Sequence, residues 1–421
     1  MTRRLSLLPL LALTVTLLPE LSPSQEWPRF RGENGVGVGN ISGLPNQFTR
    51  AAYDWAVGLD GVGHSSPVLW GDRLFLTLAS EQGDERRVSC FDSESGETLW
   101  TVAYPAEKHN LHRDNNFASA TPAVSADAVF VVWASGNHTE ALALDHEGGE
   151  LWKRSWPEFS SDHGFGASPI VCEGLLILHT DSSATQRSRV IALDPNNGET
   201  VWTLERIMPP EDNRYFTGYG TPAALTVDGT TMLAVVQTND GWKGLDPKTG
   251  AVLWEHHGDY SQRNVASVVA GEGIVFTTFG SGGKGKQATA LAPVADGDPE
   301  VLYDLGISDG LGYVPTPLIH DGLLYLWSDG GILTCRDART GERFYRERVG
   351  GNFYSSPIVA DGKIYCGSRN GEFIAVKLGP EFEVLGRSRL GSGMNATPAV
   401  ANGRLFLRTD THLISLRGQS R

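Results

Sequence analysis

Chemistry in this chain would have to come from short stretches that precede a recurring [ST]P dipeptide. They read GVGHSSP, NNFASATP, HGFGASP, TGYGTP, QRNVAS, GYVPTP, NFYSSP and GMNATP. Small residues at these places let the backbone crowd together. Between them stand His64, Asn116, Phe117, His163, Phe165, Tyr219, Asn264, Tyr313, Phe353, Tyr354 and Asn395. Aromatic rings interleaved with a few amide and imidazole groups have the composition of a small-molecule or peptide pocket. The competing reading is that they are packing residues that close one end of the fold. A second candidate is His109-x-x-His112, with Asp114 as a third donor. That spacing can hold a metal, though usually on a helix and with a ligand from elsewhere, so a solvated loop is the preferred reading. No G-x-S-x-G elbow with ordered His and Asp partners is present, so nucleophilic hydrolysis has no visible machinery.

Cys90, Cys172, Cys335 and Cys366 are widely spaced. In an oxidising compartment they allow three full pairings. The alternative is four buried free thiols, since Cys behaves as a small hydrophobe. Cys90 and Cys335 fill the repeat position held by Ala192, which favours burial. There is no CxxC. The Asp-rich strings discussed next lack the alternating oxygen ligands and closing Glu of a calcium loop.

The elements that must position these groups are repeats. The segment LDPNNGETVW, ending at Trp202, recurs as CFDSESGETLW, LDHEGGELW, LDPKTGAVLW and CRDARTGERFY. Between its copies lies [ST]P, an apolar strand, a tight turn and a second apolar strand, starting at Ser65, Ala120, Ala167, Gly220, Pro315, Ser355 and Ala396, with a degenerate copy at Ala266. Alternating apolar residues and DG, EG and NG pairs are strand and hairpin signatures. Each unit therefore reads as four strands, A to D. The copy around residue 357 gives strand A at 357–360, B at 363–367 and C at 373–378. In LDPNNGETVW, Asp194 opens the C–D hairpin, Gly198 takes the left-handed position, and Trp202 stands on outer strand D. Trp55, Trp100, Trp152, Trp254 and Tyr345 occupy related places, where a large ring would pack one blade on the next.

Eight strand-A starts predict an all-β, eight-bladed β-propeller of four-stranded antiparallel blades. Trp55 heads a strand D with no A, B or C before it, and the last unit ends after strand C. The ring should close by pairing the N-terminal strand with the C-terminal three, which removes exposed sheet edges. Strand A would line the central channel, and the D-to-A and B-to-C loops would emerge on one face, where sites are usually carried.

Bulk properties narrow the partners. Formal net charge is −14, which argues against nucleic acid, because phosphate binding needs a basic surface. The N-terminus, MTRRLSLLPLLALTVTLLPELSPSQEW, has a basic start, a 14-residue apolar stretch from Leu5 to Leu18, and Ser22-x-Ser24. This is expected to be a secretory signal peptide over 1–24, with an uncleaved anchor as the alternative. A cap over 25–54 and the propeller over 55–421 follow. No Cys follows the apolar stretch to carry a lipid, and the mature chain has no other run of transmembrane length.

The pairing of [ST]P-x-V-x-x-G-x-[LIV]-[YF] with LD-x-x-[TN]-G-E-x-x-W resembles the quinoprotein-type (PQQ-like) propeller repeat, shared by PQQ-dependent alcohol dehydrogenases and BamB-like proteins. The resemblance covers nearly all of the mature chain. EWPRFRGENGVGVG, at 26–39, is similar to the WPxFRG opening of exported bacterial proteins with this repeat. It implies that Trp27 and Phe30 seal one end, with a ligand role for Arg29 or Arg31 as the lesser alternative. The dehydrogenases would imply PQQ beside a disulfide of adjacent Cys, over a Trp, with calcium. This chain has no adjacent Cys, and no PQQ, calcium or base residue can be assigned, so no cofactor is expected. The BamB comparison implies a non-catalytic binding or scaffold propeller, expected to be monomeric and periplasmic or secreted. It would take an envelope or extracellular protein, or a small ligand, on its loop-rich face. A PQQ-dependent oxidoreductase is the alternative.

Overall fold

The computed structural model describes residues 26–207 and 217–419. The expected signal peptide lies outside the described residues. Eight antiparallel blades surround a central axis. Blade 1 runs Val68–Trp70, Arg73–Ala79, Glu85–Asp92 and Thr98–Pro105 from axis to rim. Blade 7 runs Ile358–Ala360, Lys363–Gly367, Glu372–Lys377 and Val384–Arg389, within a residue of the boundaries read from its sequence pattern. Helical structure among the described residues is confined to short 3-10 turns such as Glu33–Gly35 and Ile307–Asp309.

The ring closes as its terminal strands imply. Trp55–Gly58 pairs antiparallel with His412–Arg417, placing Trp55 opposite Ser415, and Ala399–Ala401 and Arg404–Arg408 complete blade 8. Two sheets gain a fifth strand. Val38–Gly39 adds in parallel to strand A of blade 7, and in blade 5 both Arg263–Asn264 and Val269–Gly271 pair with the same neighbour.

The [ST]P dipeptides explain how eight wedges stay in register. The hydroxyl of each Ser or Thr accepts the backbone N–H of its counterpart in the preceding blade. The series runs Ser66 to Thr121, Ser168, Thr221, Ser267, Thr316, Ser356, Thr397 and back to Ser66, over 2.8 to 3.2 Å. All eight side chains are buried. Proline follows naturally, because it brings no further N–H to a place where donors are hard to satisfy. Blade 5, which has Val268 instead, sends that N–H to Thr221 O at 3.1 Å.

A second contact joins the blades near their outer edge. Trp100, Trp152 and Trp202 donate from Nε1 to His146 O, Pro195 O and Pro247 O in the next blade's C–D turn, at 2.8 to 3.0 Å. The turn glycine lies flat on the indole. A Cβ at Gly198, whose φ is 71°, would stand 2.6 Å from Trp152, so this place needs glycine twice over. Trp55 and Tyr303 repeat the contact, to Ser93 O and Ala338 O. Trp254 instead points Nε1 at Met232 Sδ, and the Tyr345 ring packs tilted against Phe382. In blade 7 the aromatic is replaced by Gly386, and the backbone of Asn46 fills the space.

The N-terminal segment enters the axis from the A–B turn end. Trp27 is buried and exchanges backbone hydrogen bonds with Leu69. Arg29 donates to Pro222 O, and Arg31 donates to both Pro317 O and Pro357 O. These carbonyls belong to the [ST]P proline itself. Both arginines are thus engaged with the fold at the axis, and the ligand role considered for them gives way to that of a plug.

Replacing Thr316 by Val keeps its shape and leaves the Ser267 N–H buried and unpaired. We expect a loss of about 1–3 kcal/mol in urea unfolding, whereas Thr316→Ser should cost well under that.

Candidate functional site

The end of the axis opposite the plug is the channel mouth. A strap over residues 106–117, the connection from blade 1 to blade 2, lies across it. Ala106 N–H bonds Asp84 O and Glu107 N–H bonds Ser135 Oγ, which fixes one end of the strap. Leu111 lies against Gly164, and His112 stacks on His163 with ring centroids 4.9 Å apart and planes 11° from parallel. Asn115 donates to His163 O at 2.7 Å. Asp114 reaches to blade 7, where its Oδ1 accepts from Arg369 Nη2 at 2.8 Å. The Arg369 guanidinium lies 4.2 Å over the Tyr354 ring.

Under the strap the polar groups form a connected set. Arg263 Nη1 donates to His163 Nε2 at 3.0 Å and to Tyr313 OH at 3.4 Å. Because guanidinium only donates, His163 is neutral, with its proton on Nδ1. Burial, then Arg263 and His112, pull its pKa down to about 4. His64 falls to about 3 through burial, Arg408 and Arg369. Tyr219 OH meets Ser161 Oγ at 2.7 Å, and its N–H bonds Asn264 O.

The B-to-C turns of blades 6, 7 and 8 place Asp329, Arg369 and Asp410 at equivalent positions. Asp329 accepts from the N–H groups of Tyr313 and Val314 at 2.6 and 3.2 Å, and burial raises its pKa to about 6 in spite of them. Asp410 accepts from Asn395 Nδ2 at 3.0 Å, and burial raises it too. Both carboxylates hold the adjacent loop. Arg369 alone of the three faces the strap, and it holds the Asp114 carboxyl below its usual range.

Of the residues singled out in sequence, His163, Tyr219, Tyr313 and Tyr354 place their side chains in this network, with His64 and Asn395 beside it, held by Ala118 O and Asp410. The others do not. Phe353 is fully buried against Trp327, and Phe165 packs edge-on to Phe159. Asn264 is buried, and its amide nitrogen donates to Ala266 O, Thr277 Oγ1 and Thr278 O. Asn116 accepts the Ala118 N–H of its own loop, and Phe117 lies under Arg86, 4.6 Å from its guanidinium. Arg263, Arg369, Asp329 and Asp410 were missed. The three B-to-C turn charges were detectable by aligning SDG, SRN and TDT across the last three repeats.

His109 and His112 do not converge. The His109 ring sits edge-to-face between Phe117 and Phe159, with centroids at 5.0 and 5.4 Å, while His112 turns to His163. The loop is therefore packed rather than solvated. Among the described residues no group of three His, Cys, Asp or Glu is arranged to hold a metal. The cysteines are buried free thiols in blades 1, 3, 6 and 7. Ser188, His179 and Asp181 also lie close, at 3.1 and 2.9 Å, but both contacts use His179 Nε2, which is not a relay geometry.

An eight-bladed ring with strand-D aromatic staples, a plugged axis and a loop-lined mouth defines a propeller of the PQQ-like repeat class. Residues 84–300 and 289–378 match the family described as outer membrane protein assembly factor BamB, and the chain belongs to that family. It is 23% identical over 380 residues to outer membrane protein assembly factor BamB of Yersinia pestis, covering 89% of this chain and 80% of that one. Among solved structures it is similar to BamB from Moraxella catarrhalis, with TM-score 0.62 and 15% identity over 89% of this chain and 99% of that chain. A europium-containing methanol dehydrogenase matches with TM-score 0.67 at 14% identity, covering 94% and 99%. These structural likenesses speak for the fold alone.

His109 offers a test of the strap's packing. Both ring nitrogens are buried without a hydrogen-bond partner, and burial, then Arg86, lowers the pKa to about 4. The unfolded chain takes up this proton near pH 6.5 and the native state does not, so stability falls as pH drops below that value, by about 2 kcal/mol at pH 5. His109→Phe should remove this loss. In urea titrations its advantage over the wild type should be larger at pH 5 than at pH 7.5.

Proposed function

We propose that this protein is an exported, non-catalytic binding propeller that engages another envelope protein through the channel-mouth face. Family membership carries the reading: the matching family is described as an outer membrane protein assembly factor, and two relatives that bear that name are matched over 89% and 70% of this chain, against 66% for a tetrathionate hydrolase. The organisation of the axis supports it. The plug occupies one end and the strap crosses the other, so the mouth offers a polar, aromatic surface built on a rigid ring. Tyr219, Tyr313 and Tyr354, with His64, His163 and Asn395, are the proposed contact groups, with Arg369 and the strap beside them.

The oxidoreductase alternative has the fold on its side and little else. PQQ in the resembled dehydrogenases sits beside adjacent cysteines, and here the four cysteines lie in four different blades. The residues at the mouth do not fit that group, and no redox step is derived. No described helix is long and apolar enough to cross a membrane. Export through cleavage after residue 24, a cap over 25–54, a propeller over 55–421 and a monomeric state complete the proposal.

Capture from the native envelope with tagged wild type, Tyr219→Ala and Tyr354→Ala tests it. We expect at least one envelope protein to be retained by the wild type and reduced several-fold in both variants. Equal recovery of every partner would contradict the mouth as the binding surface. Stoichiometric uptake of PQQ with calcium and dye-linked alcohol oxidation would contradict the non-catalytic reading.

A further inference from the structure

The strap is itself an extended peptide lying in the proposed binding surface. Residues 106–112 have no regular secondary structure, and the segment runs from the blade 1–2 junction to blade 7. Its far end is held on blade 7 by one carboxylate, beside the His112 stack and the Asn115 hydrogen bond that tie it to His163. Asp114 is 2.8 Å from Arg369, and among the described residues the other basic side chains within 4 Å of it are His112 and Arg113, which belong to the strap and would leave with it. Arg369 stays behind, oriented by the Tyr354 ring and by its own N–H bond to Asn352 O. Beneath it lies Arg408, fully buried, with Nη1 committed to Ser65 and Thr77 O and with Nη2 and Nε unpartnered. The carboxylates on this side, Asp329 and Asp410, already accept from the Tyr313 and Val314 N–H groups and from Asn395. With the strap withdrawn, Arg369 loses its direct ion pair and keeps only the more distant charge of Asp410, which is itself hydrogen-bonded to Asn395.

Resting on the reading of the mouth as a binding surface, we propose that Asp114 is a built-in stand-in for the ligand. The mouth takes an acidic, extended segment of a protein partner, whose Asp or Glu side chain replaces Asp114 on Arg369. The clasp is half-exposed, with 23% of the Asp114 and 33% of the Arg369 side chain accessible, so it can open without unfolding a blade. Tyr354 supplies aromatic surface for residues flanking the acid. Charge at the mouth then selects the partner, and the strap sets a threshold that excludes weak competitors.

The test uses the full mature chain and a fluorescent hexaglutamate peptide, with hexaglutamine and free glutarate as controls, read by anisotropy at low salt. Asp114→Asn keeps the strap's size and removes its ionic hold on Arg369, and should bind hexaglutamate about five- to tenfold more tightly than wild type. Arg369→Gln should abolish that gain in the Asp114→Asn background, and Arg369→Lys should restore part of it. Glu147→Gln, which opens the remote Arg73 pair, controls for loss of one negative charge and should change nothing. Equal affinity of Asp114→Asn and wild type, or a gain that survives Arg369→Gln, overturns the proposal. Glutarate binding as tight as hexaglutamate overturns the peptide as its class. If Asp114→Asn gains nothing while the tyrosine variants lose their envelope partner, the acidic class is wrong and the mouth reading stands. If the tyrosine variants capture normally, the mouth reading fails and this inference falls with it.

Discussion

Everything in this molecule hangs on a closed circle of hydrogen bonds around its axis. Eight innermost strands meet there, and each brings a backbone N–H that no strand partner can reach. A buried, unpaired donor costs about 1–3 kcal/mol, roughly twice what a typical hydrogen bond contributes. The Ser or Thr of each [ST]P answers the N–H of the blade before it, and Thr397 returns to Ser66 to complete the circle. The closed series has eight members, so the count of blades and the identity of these side chains are one constraint. The aromatic staples of the outer strands add apolar area, but they are absent or altered in blades 4, 6 and 7 while the inner circle is intact in all eight.

That circle decides where function can sit. The residues just before each [ST]P are held within hydrogen-bonding tolerance of one another although their loops differ in sequence. One end of the axis is closed by Arg29 and Arg31 on the carbonyls of the same prolines. The other end carries the variable loops, the B-to-C turn charges and the strap. Rigid support beneath and chemical variety above is the arrangement expected of a recognition surface.

The fold was legible because its signals repeat. Strand alternation, turn glycines and the outer-strand aromatic each occur several times, so a weak pattern becomes a secure one, and the unpaired terminal strands revealed closure. The role of the [ST] hydroxyl was not legible, since a single repeat cannot show that its Ser bonds to the next one. The mouth was half legible. Phe353 and Tyr354 are neighbours in one promising stretch, yet one is core against Trp327 and the other carries Arg369, because successive extended residues face opposite ways. The Asp114–Arg369 clasp joins positions 255 apart, and no local pattern announces such a pair. The spacing of His109 and His112 suggested a solvated loop with a metal site as the lesser alternative, and neither reading could foresee that the two rings pack on different neighbours, because spacing was visible and direction was not.

The central claim is that a partner protein sits on the channel mouth and not on the blade margins. Site-specific photo-crosslinking reads this most directly. Benzoylphenylalanine is placed at Tyr354 on the mouth or at Leu151, an exposed outer-strand position, and the protein is irradiated in its native envelope. The account predicts a discrete higher-mass adduct from position 354 and none from position 151. An adduct from 151 with none from 354 would contradict it.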